Sequence, residues 1–334
     1  MTMTTTSNVV AGASALTPSK GYKWIAREIA RLDPEADYAR IWALTTIYYG
    51  DDFFVNLLYA TGMPCFTQSP FGSRLLTLRG EGKALSYKQE RANDTLAHFW
   101  KWFECGPEHE DAQRSIEQVN RIHAAMATKI PEAFTNDDFV YTMAWLGTFL
   151  HKLRRFVGLP GFSDKQKIAA CRFWREVAAR MRGPHGAVHD FPADFDGMLA
   201  CVAAFEARPW PQTDTGRQLA ASLIEQFNEA CLPRWAWPAG RQLILTVQAP
   251  HIRTLHRMGE PNPFAAWLIR KALFARTWMA ENLRPDPRHN AAETARAAGN
   301  TAGQHREPPM VNSGECPFHK VGAMFARKAR APVE

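Results

Sequence analysis

The 334-residue chain predicts an all-α fold, a single large helical bundle with flexible segments at both ends. Three observations predict it. Apolar residues recur three and four apart through most of the chain, which is the spacing of one helix face. Ser, Thr or Asp at the starts of these stretches and Gly or Pro at their ends mark helix limits. No run alternates apolar and polar residues between hairpin turns, as paired strands would require. The expected organisation is a tail over 1–17, a helical domain over 18–283 and a mostly disordered tail over 284–334, where Ala, Gly, Asn, Arg and Pro replace large apolar residues.

The elements follow in order. Helices are expected at 19–32, 35–49 and 51–60, divided by Asp33-Pro34 and Gly50-Asp51. The stretch 61–86, with Pro64, Pro70, Gly72, Gly80 and Gly82, reads as a long irregular loop of the kind that often lines a pocket. Periodicity resumes over 87–103 and stops at Gly106-Pro107, and the next helix ends before Pro131, so the two form an antiparallel hairpin. Thr135 caps a helix that runs through Tyr141, Trp145 and Phe149 to Gly158 and is too apolar to be peripheral. Ser163 and Gln166 form a capping box for a helix to about Met181. Further helices are expected at 192–207, 214–231, 240–257 and 262–281.

Composition narrows the function. The net charge of +7 is spread along the helices rather than gathered in a block, and no finger or helix-turn-helix signature accompanies it, so nucleic acid is not an expected partner. Six cysteines stand singly, without a C-x-x-C pair, which points away from a disulfide framework or zinc ribbon and towards a reducing compartment. The N-terminal Met-Thr-Met-Thr-Thr-Thr-Ser carries no basic and apolar leader, and no stretch of eighteen apolar residues could span a membrane; a cytoplasmic protein without a transmembrane segment is expected. Motifs of the common hydrolases, dinucleotide enzymes, phosphate-loop proteins and zinc proteases are missing.

His123 is the residue that stands out. It lies in register with Ile116, Val119, Met126 and Ile130, while Glu110, Asp111, Arg114, Glu117 and Arg121 take the opposite face, so the imidazole points inward. An imidazole in an apolar helical core is a common haem-iron ligand, although a single inward His is more often core filling. One hairpin upstream, Arg91 and Thr95 share a face adjoining Phe99 and Trp102; a structural cap or ion pair would also account for them. His185, His189 and Asp190 offer a weaker metal site that lacks a further ligand, and His251 and His256 read as surface or cap residues. In the C-terminal tail, Cys316-Pro317-Phe318-His319 reads as an exposed thiol or, less simply, a haem-responsive segment.

Val119-Asn-Arg-Ile-His123-Ala-Ala-Met, followed by Tyr141-Thr-Met-Ala-Trp145-Leu-Gly-Thr148, resembles the MpaB-type oxygenase family, which includes the latex clearing proteins or rubber oxygenases. The resemblance covers about residues 40 to 280, with its specific part at 88 to 150. It implies an all-helical haem b (iron) oxygenase using O2 on a hydrophobic, unsaturated substrate. His123 would be the metal ligand, Arg91 and Thr95 the catalytic and haem-side residues, and Trp145 and Thr148 would pack beside the cofactor. The sequence departs from the latex clearing proteins at Asp94, where they carry a distal lysine; Lys88 is the nearby alternative, and Glu81 and Glu90 are the nearby acids. Polyisoprene cleavage therefore does not carry over. A haem or hydrophobic-ligand carrier on the same fold, and a helical interaction protein in which His123 is core filling, are the alternatives.

Overall fold

The computed structural model describes residues 21–77, 88–130, 132–291 and 293. The described chain is built from thirteen α-helices. The N-terminal part contributes α1 (Trp24–Arg31), α2 (Tyr38–Thr46), α3 (Asp52–Phe66) and α4 (Pro70–Leu76). The middle contributes α5 (Lys88–Cys105), α6 (Glu110–Ala127), α7 (Asn136–Val157), α8 (Asp164–Arg180) and α9 (Phe195–Glu206). The C-terminal part adds α10 (Asp214–Cys231), α11 (Trp237–Val247), α12 (Pro250–Leu255) and α13 (Pro263–Asn282). Two-residue strands, β1 (Arg182–Gly183) and β2 (Gly186–Ala187), pair antiparallel after α8.

The caps lie where the side chains put them. The Thr135 hydroxyl accepts the Asp138 amide, the Asp138 carboxylate accepts the Thr135 amide, and left-handed Gly158 closes α7. Ser163 and Gln166 do the same for α8. α7 is buried along most of its length, from Phe139 to His151, as its composition required. It packs on α8 and α9, with α3 and α13 against its other sides. The main core joins α2, α5, α7 and α8 through an aromatic group in which Trp42 stacks on Phe173 at 5.5 Å and meets Phe103 edge-on at 5.8 Å. Gly106 makes the α5–α6 hairpin possible: its φ is +80°, and a Cβ there would stand 2.9 Å from that of Ala39.

Three sequence expectations give way. The loop expected at 61–86 contains the last turns of α3 and the whole of α4. Pro64 sits inside α3, where Thr61, Cys65 and Thr67 return their side chains to backbone carbonyls, and Pro70 opens α4 at its first turn, where a missing N–H costs nothing. The helix expected at 240–257 is divided by Pro250 into α11 and α12. Finally, packed chain continues past 283: the Asp286 amide donates to the Tyr22 carbonyl at 2.9 Å, and the Ala291 amide donates to the Ile47 carbonyl at 3.1 Å.

Candidate functional site

Arg91, Thr95 and His98 lie four and three residues apart on α5, so one helix face carries all three. That face meets α3, α4 and α10 through Ala92 and Leu96, which pack on Val55, Tyr59, Leu76, Leu219 and Leu223. The Thr95 hydroxyl donates to the Arg91 carbonyl at 3.0 Å. The Arg91 guanidinium and the Thr95 hydroxyl both reach the Tyr59 phenol, which is buried. Burial pushes that phenol above its ordinary range, against the pull of Arg91, so Tyr59 keeps its proton.

The antiparallel partner, α6, brings His123 to the same seam. Its ring stacks on Phe134 at 4.4 Å and lies 5.5 Å from Phe139. Phe134 has a φ of +63°, a left-handed conformation that a bulky residue adopts only when its surroundings enforce it. Gly183 of β1 leaves room for this aromatic shelf, since a Cβ there would stand 2.9 Å from the Phe139 ring. His123 Nδ1 is buried and has no hydrogen-bond partner among the described residues. Among the described residues neither a carbonyl nor a carboxylate anchors that nitrogen, and the ring is positioned by stacking instead. Burial first, and then the charges of Arg91 and His98, push the imidazole down to about 4. At neutral pH it is uncharged and able to ligate. Arg91 Nε is likewise buried without a hydrogen-bond partner.

His98 is a second imidazole at this seam, with Nδ1 2.7 Å from the Ser115 hydroxyl that also accepts Trp102 Nε1–H at 3.0 Å. Sequence reasoning passed over His98, although its position seven residues beyond Arg91 put it on the same face. It also passed over Tyr59, which the chain gave no signal for beyond one phenol in an apolar helix.

The other expected residues are placed as follows. Trp145 stacks on Phe149 at 4.5 Å and meets Phe66 edge-on at 5.1 Å, so it lines the α3–α7 contact. The Thr148 hydroxyl, fully buried, donates to the Ala144 carbonyl of its own helix at 2.8 Å. No described contact joins either residue to His123 or Arg91. Lys88 does not turn towards the site; its ammonium meets Glu225 at 2.8 Å and Glu229 at 3.3 Å on α10. Asp94 is exposed, Glu90 lies in the first turn of α5, and Glu81 lies outside the described residues, as does the Cys316-Pro317 segment.

Other clusters are structural or surface features. His189 meets the neighbouring Asp190 at 2.8 Å, with both exposed, and no described contact adds His185. His256 is not a surface residue: it is buried, and its Nε2 lies 2.8 Å from the Pro64 carbonyl, inside the proline-containing turn of α3. Cys105, His109 and Asp111 bring ligand atoms within 4.8 Å of one another, but His109 Nδ1 accepts the Asp111 amide as the cap of α6, and Arg114 neutralises Asp111. A surface cleft between Glu35, Asp164, Arg172, Arg175 and Asp194 shares no residue with the His123 seam.

Residues 77–298, from the approach to α5 to beyond α13, match the family described as ER-bound oxygenase mpaB/B′/rubber oxygenase, catalytic domain. The chain belongs to this family. As a member of the mpaB/rubber oxygenase family it carries an oxygenase catalytic domain. Arg91, Thr95, His98, His123, Trp145 and Thr148 all fall within the matched span, whereas Tyr59 lies before it. Among solved structures, a latex clearing protein in the closed state is similar to this chain with a TM-score of 0.57 and 16% identity, over 78% of this chain and 72% of that one. The two share the all-α fold. No curated protein matches the chain.

Proposed function

We propose that this mpaB/rubber oxygenase family member is a haem b-dependent oxygenase that uses O2 on a hydrophobic, unsaturated substrate, with His123 as the iron ligand. One observation carries the reading: the half-buried, uncharged His123 imidazole has a buried Nδ1 with no partner among the described residues, and Arg91, close enough for its charge to act on that ring, has a buried Nε that is also unpartnered. Unsatisfied polar atoms of this kind are costly unless a ligand completes them. The donor set suits haem, because imidazole suits iron and guanidinium suits a carboxylate such as a propionate.

When bound, haem would supply the O2 activation that side chains cannot perform. The chain's own residues would do the rest. Phe134 and Phe139 orient the His123 ring. Arg91 would hold an anionic group on the α5 side. Tyr59, kept protonated by burial, would offer a hydroxyl donor to a polar atom beside Arg91, in place of the lysine that Asp94 replaces, while Thr95, its proton held by the Arg91 carbonyl, would offer an acceptor oxygen. Trp145 and Thr148 would belong to the supporting wall, held by α3 and by α7 itself.

The test is a hemin titration of the purified chain, read by its absorption spectrum. The wild type should develop a Soret band that His123→Ala abolishes, while Tyr59→Phe should keep the band and lose about tenfold in O2-dependent turnover of a lipid-like alkene. A band that survives His123→Ala and vanishes in His98→Ala would transfer ligation to His98, and no band in the wild type would end the proposal. Reversible O2 binding without product would favour the carrier.

A further inference from the structure

α13 leaves a broad apolar face in solvent. None of its residues is buried, and Phe264, Trp267, Leu268, Trp278 and Met279, with Leu283 just beyond its end, are 71%, 55%, 53%, 41%, 36% and 56% exposed. At 100° per residue these side chains fall within one arc less than half the circumference, along the ~30 Å that a helix of this length spans. Ile269 and Leu273 lie on the opposite side and pack on the α10–α11 core, so the helix is fixed with its second apolar face outward. The outward arc contains one charged side chain, Lys271.

The surrounding charge is basic. Arg270 and Arg276 flank the arc, Arg270 donating to the Phe156 carbonyl at 2.9 Å and Arg276 pairing with Asp51. Arg284 follows, also exposed. Glu281 is the one acidic residue on the helix, and Arg154 pairs with it. Exposed tryptophan, phenylalanine and leucine with lysine and arginine at the margins is the composition of a helix lying in a lipid–water interface. Side chains of ~150–250 Å² each, partly exposed, make a patch of several hundred Å², large for a monomer surface but short of the ~800 Å² per partner of a standard protein interface. No described helix is long and apolar enough to cross a membrane, so the contact would be made in the plane of the surface.

We propose that the outward face of α13 docks this protein on an anionic lipid surface, with Trp267 and Trp278 seated among the headgroups and Lys271 and Arg284 meeting lipid phosphates. Lys271 lies within the apolar arc because its four-carbon stem lets the ammonium reach the phosphate level. Docking is separate from haem ligation and requires neither cofactor nor turnover.

The experiment is flotation of the full-length protein with vesicles of phosphatidylcholine containing about 30% phosphatidylglycerol, and with phosphatidylcholine alone, in 0.1 M salt. The protein should rise with the anionic vesicles. Its partition coefficient should fall at least about tenfold in Phe264→Ser/Trp267→Ser/Trp278→Ser, and several-fold in Lys271→Glu/Arg284→Glu, with the helical circular dichroism unchanged. Wild-type protein that stays at the bottom of the gradient, or a triple-serine variant that floats like wild type, would overturn the proposal. So would a wild-type dimer that the same serines convert to monomer without any vesicle binding, since the face would then belong to a second copy.

Discussion

At the residue scale, His123 shows what a sequence can and cannot say about a site. Its inward direction followed from helical spacing, and the shared face of Arg91 and Thr95 followed from the same rule. What held the imidazole was not legible, because Phe134 and Phe139 reach it from beyond the turn at 132–135, and Phe134 does so from a left-handed backbone that no local pattern announces. The depressed basicity of His123 has a consequence for stability. In the unfolded chain this group takes a proton near 6.5, and in the folded protein only near 4, so the unfolded state binds the proton first as pH falls. The contribution is complete above 6.5 and is lost between 6.5 and 4. Comparing urea denaturation of wild type and His123→Leu across that window isolates this residue from His151 and His256, whose burial also lowers them. The difference in stability between the two proteins should shift in favour of the variant on acidification, and a difference that stays constant with pH would contradict the assignment.

At the element scale, the helices announced by caps were legible and those announced by proline were misread. Thr135, Ser163 and Gly158 each carry an unambiguous hydrogen-bonding role at a helix end, so α7 and α8 could be bounded closely. Pro64 and Pro70 suggested a break; one sits inside a helix where Thr61, Cys65 and Thr67 bond back to the carbonyls of Leu57, Thr61 and Met63, and the other begins a helix, so a segment rich in Pro and Gly concealed the last turns of α3 and the whole of the seven-residue α4. α5 shows a related limit. Lys88 stands one turn before Arg91, which placed it near the site, yet its ammonium is drawn sideways to two glutamates on α10. Lys88→Ala should therefore leave the hemin titration unchanged and, as a partly exposed ion pair, alter stability by no more than about 1 kcal/mol. A shifted Soret band in that variant would return Lys88 to the iron.

At the scale of the whole molecule, the contact least visible in the sequence is the one between α1 and the segment that follows α13. α1 begins without a side-chain cap of its own, and the cap is supplied from a distance: the Ile25 amide donates to the Asp286 carboxylate at 2.8 Å, with Lys23 at 3.2 Å and the Tyr49 hydroxyl at 2.7 Å on its other oxygen. The composition after 283 suggested a tail, because a single aspartate among Pro and Arg has no periodicity to reveal a buried position. Removing it strands the Ile25 amide and the Tyr49 hydroxyl, while Lys23 keeps the Ala280 carbonyl, so Asp286→Ala should cost about 3 kcal/mol in urea denaturation and speed proteolysis near α1. A loss under about 1 kcal/mol would show that the two segments are held by other contacts. Because Ile25 and its carboxylate partner are 261 residues apart, α1 emerges from the ribosome long before the residue that completes its first turn exists. During synthesis α1 is thus among the last of the described helices to be sealed, and a nascent chain halted before Asp286 leaves α1 uncapped.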